Sequence, residues 1–518
     1  MSKSVAEYEI SDGLTEQDLV GMLKTRISIT INQTTTDRLV FFDTFDWRLF
    51  EKSLLLYQSK DELVLQHIPS SQTLLGQPIS NQPKFIRDFP GGKLKKRLEP
   101  IVEMRALLKL GEADLYISSY CILNDDEKTV ARLTFKTLKP HPQNSTGPIA
   151  KRLVVTPVRG YGKSAKTLIH HLEAIGLEPE PDNLLVKALE AGPRTPGDYL
   201  AGLKVKLDPG LRADEATKII LRPALRVMEL NEEGIKKDID TEFLHDFRVA
   251  VRRTRSVLSQ VKGVFSEETT LRFKRDFAVI GKLTNELRDL DVYLLAEDNF
   301  KAMLPDNVRE DINPLFEYMR QKRAAALQNV IDGLNSAHYR DTLQAWDTFL
   351  NEPAPASSMA VNATTPIMAL AQNRIYKKYR RIVKRGSRVL DNIEDEQLHA
   401  LRIECKKLRY LMNFFQSLFP RKKINTLIKQ VKKLQINLGD FNDLCVQEVY
   451  LLNTPNELTI SGFEAGKTFV AIGCLVGAIQ QERAQVKANF AQTFTQFARP
   501  ANQKLFRQLF ATEKRVKK

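Results

Sequence analysis

Cysteine is scarce in these 518 residues: four, at positions 121, 405, 445 and 474, with no Cys-x-x-Cys pair and no metal-ligand spacing. That argues against a disulfide-stapled scaffold or a cysteine zinc site and predicts a reduced setting. Long apolar runs are also missing. The longest, Phe469 to Ile479, falls well short of the roughly 20 residues a membrane helix needs, so no membrane partner is expected. No apolar core follows Met1-Ser2-Lys3-Ser4, which predicts no secretory signal and a cytoplasmic protein. A phosphate-binding P-loop is absent too. Gly162-Lys163-Ser164 opens a helix, but the glycine required five residues before Gly162 is Pro157; a strand-to-helix turn with Ser164 as cap is the better reading.

Negative charge is in deficit, and unevenly. Residues 1–212 carry 29 Lys and Arg against 26 Asp and Glu, leaving 49 against 37 downstream, so the net +15 divides as +3 and +12. The positive potential of the second part would steer an anionic partner towards it. The length allows two to four domains.

The informative presence is a repeated stripe. Leu244-His245-Asp246-Phe247-Arg248 through Arg252-Arg253-Thr254-Arg255 recurs as Leu398-His399-Ala400-Leu401-Arg402 through Lys406-Lys407-Leu408-Arg409, at the offset 399 − 245 = 154. The same offset pairs Phe265 with Phe419, Arg275 with Lys429, Asp289 with Asp443 and Val292 with Val446. Fixed-spacing self-similarity indicates a duplicated supersecondary unit. His245, Arg248, Arg252 and Arg255 share one helical face, as do His399, Arg402, Lys406 and Arg409, while Phe247, Val251 and Leu258 with Leu401, Cys405 and Met412 supply apolar anchors. A row of like charges destabilises its helix, which points to an anion that neutralises it; a solvated charged face is the bland alternative. Less ordered cations follow, Arg272, Arg275, Lys282 and Arg288, then Arg374, Lys377, Lys378, Arg381, Lys384 and Arg385, then Lys429, Lys432 and Lys433. Of these, Arg275, Lys282, Arg288, Lys429 and Lys433 rank as secondary binding candidates.

Residues 1–202 read differently. β-rich runs at 39–42, 54–57, 63–66, 115–120, 130–136 and 152–158 are separated by turn formers, and Ser164 to Gly176 and Asp182 to Ala191 read as helices. Residues 203–212 form a linker, and Ala213 opens a long helical pattern to the end of the chain.

The repeated His-x-x-Arg-x-x-x-Arg-Arg-x-Arg, followed by Leu287-Arg288-Asp289-Leu290-Asp291-Val292 in one copy and Asn442-Asp443 in the other, resembles the CHAD family of conserved-histidine α-helical domains over residues 213–518. The resemblance implies two pseudo-symmetric helical bundles around a basic channel that binds inorganic polyphosphate, with polyphosphate granules as a candidate location. His245, Arg248, Arg252, Arg253, Arg255, His399, Arg402, Lys406, Lys407 and Arg409 would line it. Glu7-Tyr8-Glu9 with Phe42-Asp43-Thr44-Phe45-Asp46-Trp47-Arg48-Leu49 and Arg159-Gly160-Tyr161-Gly162 resembles the CYTH family of triphosphate-tunnel β-barrels.

The CYTH pattern is incomplete. Ser11 stands where the opening motif has lysine, and Arg132, Thr134 and Lys136 occupy the face where further glutamates belong. Only Glu7 and Glu9 remain as metal ligands, too few for a fixed coordination shell. The expected architecture is therefore multidomain α+β: a degenerate antiparallel β-barrel or tunnel with a few helices, then an all-α domain with an internal duplication. No catalytic residue and no cofactor are expected. The alternatives are a triphosphatase or polyphosphatase that uses Mg or Mn in the front domain, and a nucleic-acid binder, disfavoured because only Tyr410 and a few Phe residues accompany the stripes.

Overall fold

The computed structural model describes residues 6–11, 13–141, 147–180, 182–199, 202, 205–355, 360–460 and 466–511. The chain divides into two compact units, residues 1–199 and 200–518.

In the first unit β1 (Ala6–Glu9), β2 (Ser28–Thr44), β3 (Leu54–Ser59), β4 (Glu62–His67), β5 (Gln72–Pro78), β6 (Leu107–Leu123), β7 (Thr129–Pro140) and β8 (Ala150–Pro157) form one antiparallel sheet. Its order is β1-β8-β7-β6-β2-β3-β4-β5. The connections include α1 (Glu16–Lys24), α2 (Lys93–Val102), α3 (Gly162–Ala174) and α4 (Val186–Glu190). Period-2 alternation sends Tyr8, Leu133, Phe135, Leu153 and Val155 into a core with Leu19 of α1 and Leu168 of α3. At the far end Leu54, Leu56, Leu63 and Leu65 close on Leu94 and Leu98 of α2.

The sheet is not the closed barrel expected. Among the described residues β1 and β5 are its two edges. The outer side of β1 is already hydrogen-bonded, Glu9 N to Glu178 O and Glu180 N to Glu7 O, so a segment following α3 occupies the position that closure would need. Two smaller expectations also change. Ser164 is not a cap, because α3 begins at Gly162 after Tyr161 and has no side-chain cap. The expected helix over 182–191 contracts to α4, since Asn183 accepts from Leu185 N and holds a turn there.

In the second unit the helices are α5 (Ala213–Lys236), α6 (Thr241–Gln260), α7 (Glu267–Leu283), α8 (Asn285–Leu295), α9 (Glu297–Ala302), α10 (Asn313–Asn335) and α11 (Ala337–Asn351). There follow α12 (Ile367–Asp391), α13 (Asp395–Phe414), α14 (Arg421–Ile460), α15 (Gly466–Ala488), α16 (Phe490–Ala498) and α17 (Pro500–Phe510). Boundaries recur with the sequence offset: α5, α6 and α7 begin 154 residues before α12, α13 and α14, and α6 and α13 are both 20 residues long. The two runs differ in detail. α14 continues unbroken where the first run stops α7, turns at Thr284 and starts α8.

A candidate anion-binding site

α6 and α13 each bury their apolar stripe, Phe247, Val251 and Leu258 on one and Leu401, Cys405 and Met412 on the other. Packing therefore fixes how each basic row is presented. Asp240 caps α6 by accepting from Glu242 N and Phe243 N, which sets the helix start just before His245. α6 packs against α13.

The first row is anchored at Arg248. Its Nη1 donates to Thr284 Oγ1 at 2.8 Å, Asn285 Oδ1 at 3.0 Å and Gly281 O at 3.4 Å. The break between α7 and α8 makes these acceptors available, because a continuing helix would use the Gly281 carbonyl internally. Burial pushes the Arg248 guanidinium down to about 10; nearby Asp289 opposes this, and Arg252 and Arg288 add to it. One turn on, Arg252 is exposed. Arg255 lies across α7 where there is no side chain: a Cβ at Gly281 would sit 2.9 Å from Arg255 Nη1. His245 and Arg253 are half-buried on the same helix.

The second row is held by different partners. His399 Nδ1 meets Asn442 Oδ1 at 2.7 Å, and Arg402 Nη2 donates to Asp443 Oδ1 at 3.2 Å, with Asn442 Nδ2 also donating to Asp443. An amide oxygen only accepts, so Nδ1 carries the proton and Nε2 of the exposed ring is the atom left for other contacts. Lys406 is half-buried. Burial first, and then Arg252 and Arg402, push its amine down to about 8, against a weaker pull from Asp443. The Arg252 effect crosses from α6 to α13, which pack against each other, so the two rows act on one another. Arg409 adds to the same depression, and its Nε is buried with no hydrogen-bond partner among the described residues. Arg252, Arg402, Lys406 and Arg409 thus form one cluster of cations, with Arg248 beside it.

Residues 219–452 match the family model of the CHAD domain. The helical unit contains a CHAD domain. Two uncharacterized proteins of Mycobacterium tuberculosis, from strains CDC 1551 / Oshkosh and ATCC 25618 / H37Rv, are each 24% identical over 289 residues, covering 55% of this chain and 52% of theirs. The chain therefore spans about half the length of the curated relatives it matches. Among solved structures, the CHAD domain from the plant Ricinus communis aligns with TM-score 0.44 at 24% identity, over 61% of this chain and 96% of that one. PptA from Streptomyces chartreusis aligns with TM-score 0.42 at 13% identity, over 55% and 99%.

Not every candidate cation joins the cluster. In the CHAD domain Lys407 turns to Glu404, a buried carboxylate that also receives Lys378 at 2.8 Å and Arg381 at 3.9 Å from α12. Burial raises the Glu404 carboxyl, but these three cations together hold it below its ordinary value. Arg288 is close to Arg248 and donates to Thr241 O at 3.3 Å. Arg275 is exposed beside Asp276, and Lys282, Lys429 and Lys433 are exposed on α7 and α14. Sequence reasoning noticed Asp289, Asn442 and Asp443 only as motif letters. It missed Thr284 and Asn285, which carry no local stop signal: the pattern around them continues as a helix, and Thr284 makes no side-chain cap.

In the first unit Glu7 and Glu9 are placed towards a cation. Glu9 is directly opposite Arg152, which is in turn opposite Lys136. Arg152 is fully buried; burial lowers its basicity while Glu7 and Glu9 raise it. Among the described residues no group of three or more His, Cys, Asp or Glu is placed to hold a metal ion.

Proposed function

We propose that the CHAD domain binds inorganic polyphosphate in a basic channel between the rows on α6 and α13, as one of two related helical bundles facing the other. The observation that carries this reading is the packing of α6 against α13, with Arg252 on one helix lowering the basicity of Lys406 on the other, reinforced by Arg402 and Arg409. Cations held this close repel one another, and a ligand with a negative charge at every phosphorus removes that repulsion along the whole row. Arg402 and Arg252 supply planar forks for phosphate oxygens, and Lys406 a compact charge. The CHAD match supports the same class of ligand. No bond is made or broken in this function.

The front unit is, in this reading, a CYTH-like sheet that has exchanged metal ligands for cations. Arg132, Thr134 and Lys136 alternate onto the face that also carries Glu7, Glu9 and Arg152.

The test is charge reversal at the meeting point. Arg252→Glu with Lys406→Glu should weaken long-chain polyphosphate binding by at least about a hundredfold, two ion pairs to charged groups at ~1.5 kcal/mol or more each, with circular dichroism unchanged. Native folding with wild-type affinity would overturn the assignment.

A further inference from the structure

A second cationic feature lies away from the two rows. α12 and α17 enclose a groove of about 780 Å³. Its wall carries Lys377, Arg380, Lys384 and Arg507, and no acidic residue lines it. Among the described residues these four form no ion pair. The floor is aromatic: half-buried Tyr376, and buried Tyr379 and Phe510. Tyr379 stacks on Phe506 with ring centroids 3.7 Å apart, yet its hydroxyl, 4% exposed as a residue, has no hydrogen-bond partner among the described residues. A buried hydroxyl without a partner is uncommon and needs a cause.

The duplication supplies a control. At the 154-residue offset the counterparts of Tyr376, Lys377, Tyr379 and Lys384 are Arg222, Pro223, Leu225 and Leu230. The counterpart of Arg380 is Arg226, which is paired with Glu229 at 3.7 Å; where Glu229 stands in the first run, the second has Val383. The second run therefore has added aromatic rings and cations and omitted the neutralising acid. Helix packing alone demands neither, since the first run packs α5 without them.

We infer that the α12–α17 groove is a nucleotide site, with phosphates on the Lys377, Arg380, Lys384 and Arg507 wall and the base over Tyr376, where the Tyr379 hydroxyl meets a polar edge. The volume lies within the range of small-molecule pockets, and flat rings beside cations match the two halves of such a ligand. Inorganic phosphate chains share the anionic half only.

The experiment is a calorimetric titration of the full chain carrying Arg252→Glu and Lys406→Glu, which silences the rows, with ATP and separately with inorganic tripolyphosphate. ATP should bind at least about tenfold more tightly than tripolyphosphate. Arg380→Gln with Lys384→Gln should weaken ATP by about tenfold or more, and Tyr379→Phe should weaken it severalfold while leaving the melting temperature unchanged or higher. Absence of ATP binding, equal affinity for both ligands, or indifference to the Arg380 and Lys384 changes would overturn the site. None of these outcomes bears on polyphosphate binding by the rows, because those cations are already reversed.

Discussion

Lys406 is a side chain on which the anion site acts strongly. Burial and its cationic neighbours bring its amine to about 8 in the free protein, below its ordinary value of 10.5. A bound polyanion favours the ammonium, so the complex holds the proton to higher pH than the free protein does. Affinity for polyphosphate should therefore fall as pH rises through about 8, with proton uptake on binding in that range, and level off below about pH 7 where both states are protonated. The stability of the free protein moves oppositely: between about 8 and 10.5 the unfolded chain binds more protons, so stability rises with pH. Isothermal titration at several pH values should show a severalfold loss of affinity from pH 7 to 9. Lys406→Arg, always charged, should flatten that profile.

At the scale of elements, the break at Thr284 does for the first row what Asp443 does for the second. Thr284→Val keeps the shape but removes the acceptor 2.8 Å from Arg248. A hydrogen bond to a charged, half-buried group contributes roughly 1.5–3 kcal/mol, so urea unfolding should show a loss of about that size. Asn285 and Gly281 still orient Arg248, so polyphosphate affinity should stay within about twofold. This break shows where sequence reading stops. The stripes, the 154-residue recurrence and the start of α5 at Ala213 were legible because apolar and basic residues follow the helical period. The stop after α7 was not, because Thr284 and its counterpart Leu438 both fit a helix locally. Exposed lengths of strand were not legible: β2 extends back to Ser28 through a Thr-rich, largely exposed stretch that has no apolar alternation to read. β5, with exposed Gln72, Thr73 and Leu74, was hidden for the same reason.

For the molecule as a whole, net charge and topology matter more than any single contact. The excess of +12 downstream of residue 212 attracts any polyanion, and both polyphosphate and RNA release counterions on binding, so salt dependence cannot separate them. Stacking can. Tyr410, the aromatic residue beside the second row, is 8% exposed and stacked on Phe414 at 6.0 Å, so it offers no open face to a base. Long-chain polyphosphate should then displace bound RNA at a far lower phosphate-equivalent concentration than RNA displaces polyphosphate, measured by competition at physiological salt. Equal competition or a preferred RNA sequence would instead favour a nucleic-acid ligand. Sheet closure was a whole-molecule property that no local pattern carried. It depended on residues 178–180 reaching the outer side of β1, a pairing distant in the chain.

The crowding of cations around Lys406 also has a chemical consequence. An amine whose proton is held weakly spends more of its time as a free lone pair, and a free lone pair is a nucleophile. Near pH 8 an acylating reagent in limiting amount should modify Lys406 ahead of exposed lysines such as Lys282, Lys429 and Lys433, as read by peptide mass spectrometry. Saturating polyphosphate should suppress that reaction while leaving an exposed lysine of the first unit, such as Lys60, unchanged. The arrangement that favours an anion would thus also leave the unliganded protein with one unusually reactive amine.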